Sequence, residues 1–559
     1  MRMKKIFYLV TTILCASGGF AQHMDIEAMM KDRKFRINGG VNANGMFYNS
    51  NLEQDREPFI YMLTGNVNFS YMTFNMPFSY TLTNQGSAFD YKVPFDFNRF
   101  SLNPKYKWIQ LYIGDNAMTF SEYTLNGHPF RGLGIELTPK GAFKYSAMGG
   151  RLFKAVEGND SIGLPAVYER YGYGAKVDFE KEKYKIEAIG FFAKDKESSV
   201  KNYTDVTPLS NYVGSLKFST TLLKNLNFQA EYAVSVIESH TPYWDFVEGD
   251  TLRSFADSKT FNKAFNAKID YKIGKANVGL VYENVDPTYQ TLGAMYFNND
   301  LENIGLTLAS PFFKDRLVIA SQLGYQRDNL DQQKNQTSVR LVGSVNAALK
   351  VTEVLNITGS YSNFSATTNR RLNQFDYINM PDMVPADTLD YRQLSQSGNL
   401  NLNYVFGKNK NQNMNFNYSI AGQANEQGGI IRRGQASTVQ NYSLVHTINF
   451  PSTQVGLNSS LNYTTNTTGL LDNQAYGGSV SVSKKFFENK LTGNFGTLYN
   501  QTAGKANSKS SVFGLKFNAN YVFLEKHNFS LYGIQMFRNT EGKDPMNDLT
   551  INFNYSYSF

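Results

Sequence analysis

The feature that most constrains this chain is the strict alternation of its last eleven residues, Leu549–Phe559. Odd positions are apolar or aromatic, whereas the even positions between them are small or polar. A period of two is typical of a β-strand whose two faces meet different media. The length matches the roughly 9–11 residues of a tilted strand that crosses a bilayer. A soluble edge strand is the alternative, but one this aromatic and uncharged would invite aggregation.

The terminal strand ends on Phe559, and three further aromatic residues share its parity: Phe553, Tyr555 and Tyr557. Such an ending resembles the C-terminal signal by which bacterial outer-membrane barrels are recognised for assembly. The resemblance implies that barrel-assembly machinery and outer-membrane lipids are partners of this chain.

The same alternation recurs from Phe35 onward. Clear examples cover 59–69, 74–82, 226–236 and 513–521. The pattern predicts an all-β fold, a transmembrane antiparallel β-barrel of about 26 strands within a range of about 22–26, over residues 35–559. Pro77 interrupts one of these runs and lacks a ladder donor, so we expect a β-bulge there.

The connections between the predicted strands alternate between short and long. Short connections lie near 71–73, 138–141, 180–183, 273–275 and 450–452. Long polar connections lie near 115–130, 152–168, 194–210, 238–262, 285–300, 364–395 and 424–437. Outer-membrane barrels have short periplasmic turns and long extracellular loops, so we expect an even strand number and both termini in the periplasm.

The N-terminal residues predict export. Arg2, Lys4 and Lys5 precede an apolar stretch, and Ala21 follows at a position suited to cleavage. We therefore expect a signal peptide over 1–21, a periplasmic lead over 22–34 and location in the cell outer membrane. The single cysteine, Cys15, would be removed with the signal peptide, which leaves no thiol chemistry.

Composition fits a barrel better than a soluble protein or a helical membrane protein. Aromatic residues make up 14% and charged residues 18% of the chain, and the mean hydropathy is −0.39. In a barrel only one residue in two faces lipid, which reconciles these values. The net charge of +8 is spread along the chain, without a basic block, so we expect no nucleic-acid partner.

Residues 97–139 contain three short motifs: Asn98-Arg99-Phe100, Pro104–Trp108, and Gly127-His128 followed by Gly132 and Gly134. This stretch resembles outer-membrane barrels of Bacteroidota-type bacteria, a porin-like family without a well-defined activity. The stretches 324–338 and 359–371 are similar in character. The resemblance implies a barrel in the outer membrane and implies little about function.

Catalytic or metal sites are not predicted, and we expect neither enzyme activity nor a cofactor. The five histidines, His23, His128, His240, His446 and His527, form no metal-binding pair, and the chain has no nucleophile elbow. His128 and His240 fall in predicted external loops, and acidic residues follow His240. A surface hydrolase is therefore the third functional alternative.

Three tripeptides match Asp-[Ser/Thr]-aliphatic, a pattern that resembles the O-glycosylation acceptor of exported Bacteroidota proteins. The acceptor residues would be Ser161, Thr251 and Thr388, all within predicted external loops. The resemblance implies added glycan mass at these positions.

The polar positions of the clearest strands predict a hydrated inner wall. The candidate lumen-lining residues are Lys268, Asp270, Arg340, Asn346, Lys516, Asn518, Asn520, Asn552 and Asn554. Fixed charges of both signs are typical of an aqueous lumen, and a basic excess would repel cations weakly. The alternative is that these groups bind one another or an inserted loop.

The predicted size limits the function. About 26 strands spaced 4.8 Å apart and tilted by roughly 40° would enclose a cylinder on the order of 50 Å across. We expect the loops 238–262 and 364–395 to fold inward, the barrel to flatten, or a plugging or neighbouring outer-membrane protein to fill it. The leading hypothesis is a porin-like pore for solute or substrate transport. The alternative is an accessory subunit of a secretion or assembly machine.

Overall fold

The computed structural model describes residues 35–559 except 53–56, 85–92, 159–164, 202–205, 248–249, 334–336, 338, 368–390, 428–429, 470 and 505–508. Only the backbone is described at 241–247, 250–257, 340, 364–367, 391–394, 425–427, 430–435 and 471. The predicted signal peptide, the predicted lead segment and His23 lie outside the described residues.

The described chain is almost entirely β-strand, with one 3-10 turn at Glu197–Ser199. The strands are β1 Arg36–Ser50, β2 Phe59–Tyr71, β3 Phe74–Thr83, β4 Arg99–Leu102, β5 Lys105–Tyr106, β6 Ile109–Thr119, β7 Asn126–Leu137, β8 Phe143–Phe153, β9 Glu169–Lys181, β10 Tyr184–Lys196, β11 Leu209–Leu222, β12 Leu226–Val247, β13 Asp250–Ile273 and β14 Ala276–Val285. They continue as β15 Leu301–Phe312, β16 Leu317–Arg327, β17 Val339–Lys350, β18 Leu355–Thr367, β19 Tyr391–Phe406, β20 Gln412–Gln427, β21 Ile430–Phe450, β22 Val455–Thr468, β23 Leu471–Phe486, β24 Leu491–Gly504, β25 Ser510–Phe523, β26 His527–Thr540 and β27 Met546–Ser558.

The strands form a closed antiparallel barrel. The short strands β4 and β5 both lie between β3 and β6, so the 27 segments occupy 26 positions in the wall. The barrel closes where β1 pairs with β27, from Gly40 opposite Ser558 to Ser50 opposite Asp548. The predicted fold class and strand number are confirmed. Closure satisfies the backbone groups that an edge strand would expose to lipid.

The alternation of the terminal strand corresponds to two different surfaces of the barrel. Residues directly opposite each other in antiparallel strands share a face. Phe553, which is 47% exposed, lies opposite Leu531, whereas Asn554 lies opposite Ser530 and Asn44. The outward face carries many exposed apolar side chains, such as Leu461 at 65% exposure. The outward face is therefore suited to hydrocarbon and the inward face to water.

The five short connections agree with the predicted turns, but three of the predicted long loops are largely strand. β6 and β7 occupy most of 115–130, β12 and β13 extend through most of 238–262, and β20 and β21 fill most of 424–437. β12 has 22 residues and β13 has 24, about twice what a membrane crossing needs. The predicted inward fold of 238–262 is therefore wrong, because this segment prolongs a hairpin. Of the loop 364–395, residues 368–390 lie outside the described residues.

The bulge predicted at Pro77 is also wrong. β3 continues through Pro77, which lies in regular register opposite Asn68. The interruption occurs in the neighbouring wall position, between β4 and β5. There the amide of Asn103 donates to the carbonyl of Pro77 over 2.9 Å, and the amide of Leu111 donates to the carbonyl of Pro104 over 2.9 Å. Pro77 has no backbone N–H to donate, and the wall position beside it is interrupted between β4 and β5.

Among the described residues, no helix combines the length and the apolar character needed to cross a membrane.

Candidate lumen constriction

Two connecting segments, residues 120–125 and 286–300, fold against the inward face of the barrel wall. We call them the inner segments. Phe120 and Leu125 of the first and Leu292 of the second belong to one buried cluster with inward residues of β6, β7, β8, β10, β11 and β12. Tyr123 and Tyr289 pack in a second cluster with Ala233, Ala264 and Val285. The inner segments therefore narrow one side of the lumen.

The inner segments cover an apolar area of the wall. On β10 the inward positions Ile189, Phe191 and Ala193 are at most 5% exposed, and Val213 of β11 and Ile237 of β12 extend this area. In a water-filled lumen these side chains would be hydrated. Burying each large apolar side chain contributes about 1.5–3 kcal/mol, which favours the covered arrangement.

Asn211 of β11 fixes the second inner segment by hydrogen bonds. Its amide nitrogen donates to Ser235 Oγ over 2.8 Å and to the Val236 carbonyl over 3.1 Å. Its amide oxygen accepts a bond of 2.9 Å from the backbone N–H of Leu292. Ser235 in turn donates to the carbonyl of Gln290 over 2.6 Å. Asn211 is 0% exposed, so these bonds replace the water that the amide would otherwise bind.

The two inner segments are also bound to each other. The Tyr289 hydroxyl donates to the Tyr123 carbonyl over 2.8 Å, and the Thr291 hydroxyl donates to the Thr124 carbonyl over 2.6 Å. At Gly293 an added Cβ would lie 2.6 Å from the Thr124 carbonyl oxygen. Glycine is thus required by the close approach of the two backbones.

Tyr123 connects the inner segments to the strands below them. Its hydroxyl donates to Glu283 Oε1 over 2.9 Å and accepts a bond of 3.2 Å from the Asn266 amide. Its ring packs edge-on against Tyr289, with 6.2 Å between centroids. Burial, with the charges of Glu283 and Glu122, raises the pKa of the Tyr123 phenol, so the hydroxyl stays protonated and available as a donor.

A row of polar and charged residues crosses the inward wall beneath the inner segments. The row is formed by residues opposite one another on neighbouring strands: Asp178, Glu187, Lys217, Glu231, Asn266 and Glu283. Lys185 lies 2.7 Å from Glu187, and Lys176 lies 3.6 Å from Asp178. The Ser215 hydroxyl donates to Glu231 over 2.6 Å. We call these residues, with Lys176 and Lys185, the charged row.

Glu122, at the tip of the first inner segment, adds a further carboxyl group near the charged row. Desolvation by the surrounding protein raises the pKa of this carboxyl. The nearby Glu231 carboxylate raises it further, and Lys217 opposes the shift. Glu122 therefore loses its charge at a higher pH than an isolated glutamate does.

The predicted lumen-lining residues are divided between two parts of the wall. Lys268 and Asp270 of β13 lie close to the charged row and form an ion pair of 3.1 Å. Asn346 of β17 lies opposite Ala320 and Ser360. Only the backbone of Arg340 is described, and it pairs with Gln326.

The other predicted residues lie near the closure of the barrel. Lys516, Asn518 and Asn520 occupy alternate positions of β25, and Asn552 and Asn554 do so on β27. Asn520 accepts a bond of 2.7 Å from the Ser530 hydroxyl. Their strands are far along the wall from β9 to β14, so the structure does not bring them together with Lys268 and Asp270.

Amide and hydroxyl groups line the wall formed by β19 to β26. Asn401 and Asn415 exchange amide hydrogen bonds of 3.0 and 3.1 Å, and Asn413 donates to Asn403 over 2.7 Å. Paired amides present both donors and acceptors without net charge. This part of the inward face is therefore rich in uncharged polar groups, with Lys516 as a charged exception.

The aromatic residues of the predicted assembly signal lie together on the outward face of β27. Phe553 is exposed, Tyr555 packs against Phe529 at 4.9 Å, and Tyr557 stacks on Phe559 at 5.4 Å. They form part of the apolar exterior next to the closure of the barrel.

The placement of His128 in an external loop is wrong. His128 lies on the inward face of β7, is 1% exposed, and packs edge-on against Phe153 at 5.0 Å. His240 lies in β12, with Nε2 at 3.3 Å from the Ser210 hydroxyl. In the described part of the chain, no group of three or more His, Cys, Asp or Glu side chains is arranged to hold a metal ion.

Ser161 and Thr388, two of the predicted glycosylation positions, lie outside the described residues. Thr251 lies at the start of β13, next to the tip of the long hairpin, where only the backbone is described. Glycan attachment at these three positions stays a prediction.

Sequence reasoning missed the inner segments, although a signal was present. β10 contains the run Ala188–Ala193, which is apolar on both faces. A strand that faces water on one side does not need this pattern, so it indicates that something covers the inward face. The aromatic content of 287–297 is a second signal, because a solvated external loop is usually polar.

Comparison with known proteins gives no family. No protein-family model matches the chain, and no curated protein matches it in sequence. The FrpB iron transporter from Neisseria meningitidis (F5-1 variant) aligns at 11% identity and a TM-score of 0.40, over 96% of this chain and 84% of that chain. The copper transporter OprC aligns at 9% identity and a TM-score of 0.40, over 95% of this chain and 82% of that chain. The translocation pore of the P pilus usher PapC aligns at 10% identity and a TM-score of 0.36, over 94% of this chain and 99% of that chain. The Bacteroidota-type assignment therefore stays a prediction.

Proposed function

We propose that this protein is an outer-membrane transport channel whose aqueous lumen is narrowed on one side by the inner segments. The supporting observation is their attachment: Asn211, Ser235 and Thr291 hold 120–125 and 286–300 against the wall through buried hydrogen bonds. A barrel with a fixed internal constriction can select solutes by size and charge. We also propose the Bacteroidota-type, porin-like assignment, on the short motifs of 97–139.

The charged row suggests which solutes the channel favours. Together with Glu122, the charged row contains more carboxyl groups than ammonium groups. The five carboxyl groups are those of Glu122, Asp178, Glu187, Glu231 and Glu283, and the three ammonium groups are those of Lys176, Lys185 and Lys217. The net charge of the chain is positive, but selectivity follows the fixed charges beside the constriction rather than the net charge. We therefore infer a preference for cations or for neutral polar solutes.

A non-catalytic role is part of the proposal. The ring of His128 is buried, and its Nδ1 lies 2.7 Å from the Pro129 carbonyl. Such a histidine is poorly placed to reach a substrate in solution. Replacing His128 and His240 should therefore leave any hydrolytic activity of the preparation unchanged.

Single-channel recording of the purified protein in planar bilayers tests the proposal. We expect steady conductance in the wild type and a larger, noisier conductance in Asn211→Ala, because Leu292 would lose its buried acceptor. The matched control is Asn401→Ala, which removes a paired amide from β19, away from the inner segments. Silent wild-type protein that co-purifies with other membrane proteins would contradict the channel and favour the accessory subunit.

A further inference from the structure

Basic side chains cluster on the outward face of the barrel, from the middle of β7 to the extracellular ends of β8 and β10. Arg131, Arg151 and Lys194 alternate with inward residues, and Lys154 and Lys196 lie just beyond them. We call these five residues the rim patch. The side chains between them point inward and are buried. Asp195, next to Lys194, forms a buried ion pair of 2.7 Å with Arg170. The rim patch therefore faces the surroundings of the barrel and not the lumen.

Nearby carboxylates neutralise only part of the rim patch. Arg131 binds Asp115 through bonds of 2.7 and 3.0 Å. Asp96 accepts from Arg151 at 3.0 Å and from Lys154 at 3.1 Å, and it also lies 2.9 Å from Arg131. Glu169 lies 3.5 Å from Lys196 and 3.9 Å from Arg151, so three carboxylates face five basic groups, and no ion pair is found for Lys194 in the part of the chain that is described. Positive charge thus remains at the Lys194 and Lys196 end.

Below the rim patch, the outward face becomes apolar. Tyr173 and Phe192 stack with 6.4 Å between centroids, and Tyr212 packs on Phe192 at 4.7 Å. Two residues further toward the periplasm, Ala175 and Gly190 leave a shallow strip, and an added Cβ at Gly190 would meet nothing within 4 Å. From the rim inward to the membrane, the outward face thus carries cations, then aromatic rings, then a shallow strip. The same order is found in a membrane lipid, which has a charged headgroup, an interfacial region and an acyl chain.

We infer that the rim patch binds the phosphate headgroup of an outer-leaflet lipid, whose acyl chain lies on the strip at Ala175 and Gly190. The charge is complementary, since arginine and lysine beside the membrane surface attract anionic lipid headgroups. Arg151 offers a planar fork that suits phosphate oxygens, and Lys194 and Lys196 offer point charges beside it. The inference rests on the outer-membrane placement proposed above, but not on channel activity.

Binding of a defined lipid to the full-length protein in detergent tests this inference. The probe is a diphosphorylated, multiply acylated glycolipid, and the comparison probe is the same glycolipid without phosphates; native mass spectrometry gives both dissociation constants. The test variant is Arg151→Gln/Lys194→Gln/Lys196→Gln. The control is Lys484→Gln/Lys485→Gln/Lys490→Gln, which removes the same charge from the periplasmic end of β23 and β24.

We expect the test variant to bind the phosphorylated lipid at least tenfold more weakly than the wild type and the control. The dephosphorylated lipid should bind all three proteins equally, and millimolar inorganic phosphate should not displace the lipid. Unchanged affinity in the test variant, an equal loss in the control, or displacement by inorganic phosphate would overturn the inference. Heat-modifiable gel mobility verifies that each variant is folded. If the triple variant does not fold, the single variant Lys194→Gln is the test and Lys484→Gln is its control.

Discussion

Gly39 and Phe559 exchange two backbone hydrogen bonds: the Gly39 amide donates to the Phe559 carbonyl over 2.9 Å, and the Phe559 amide donates to the Gly39 carbonyl over 3.0 Å. This pair extends the ladder between β1 and β27 beyond Gly40 and Ser558. The closing hydrogen bonds thus continue to the edge of the barrel that carries the short turns. Backbone groups at this position would otherwise lack partners next to lipid.

A side chain at Gly39 should weaken the barrel near its closure. In Gly39→Ala the added Cβ would lie 2.2 Å from the Asn66 carbonyl oxygen, so the backbone of β2 must move. We expect a loss of about 1–3 kcal/mol, typical of overpacking. Thermal conversion of the heat-modifiable band measures this effect. In the control, Gly214→Ala, the added methyl meets nothing within 4 Å; equal shifts in both variants would show that the closure is not packed as described.

Removing the Tyr123 hydroxyl should destabilise the constriction. In Tyr123→Phe, Glu283 and Asn266 each lose a hydrogen-bond partner in a buried environment. We expect a cost of about 1–3 kcal/mol in the free energy of unfolding, measured by denaturant titration in detergent. Tyr232→Phe, on the outward face at 46% exposure, is the matched control and should change little. A stable Tyr123→Phe protein would mean that these bonds are not formed.

Two ion pairs should differ sharply in their contribution to stability. Asp195 binds Arg170 through bonds of 2.7 and 3.0 Å and accepts the Leu209 amide, and the side chains are 1% and 10% exposed. Asp195→Asn would leave a buried arginine without a counter-charge, at a cost of about 3–5 kcal/mol. Asp315→Asn removes an exposed partner of Lys275 and should cost about 0–1 kcal/mol. Similar unfolding temperatures for the two variants would contradict the buried position of Asp195.

Ion selectivity should depend on pH through Glu122. Desolvation and the neighbouring Glu231 carboxylate raise the pKa of Glu122 above its ordinary value of 4.5. As pH falls, Glu122 is therefore protonated before ordinary carboxylates, and cation preference should decline early. In Glu122→Gln this early decline should be absent, as measured by reversal potentials in a salt gradient across a pH series. Identical profiles for the two proteins would exclude Glu122 from the conduction path.

The same shift of the Glu122 pKa has a consequence for stability. Because folding raises this pKa, ionisation of Glu122 costs stability once pH rises through the folded-state value. Glu122→Gln should therefore be at least as stable as the wild type at neutral pH. The difference should vanish below the ordinary pKa, where the carboxyl is protonated in both states. A variant less stable than the wild type at neutral pH would contradict the direction of the shift.

Local patterning was sufficient to predict the barrel, because each membrane strand must alternate by itself. The period of two assigns Phe553 to the outward face and Asn554 to the inward face, and in the structure they lie opposite Leu531 and Ser530. The long hairpin of β12 and β13 was missed, because a strand that projects beyond the bilayer does not need an apolar face. The break beside Pro77 was misplaced, because a missing donor can be accommodated by the neighbouring strand.

The constriction could not be predicted in detail from local sequence. Asn211 is a polar residue in a strand and resembles many other asparagines on the inward face. Its role depends on Leu292, which is 81 residues away. The apolar inward positions Ile189 and Phe191 and the aromatic residues of 287–297 were visible in the sequence, but the contact between the two regions was not. Long-range partners of this kind become apparent only when the strands are placed around the barrel.

A density map of the protein in lipid nanodiscs, obtained by electron cryomicroscopy, tests the central claim most directly. It would be inspected for residues 120–125 and 286–300. We predict density for both segments inside a closed barrel of 26 strands, with Leu292 next to Asn211. Density that places both segments above the extracellular rim, with Phe191 facing open water, would contradict the account.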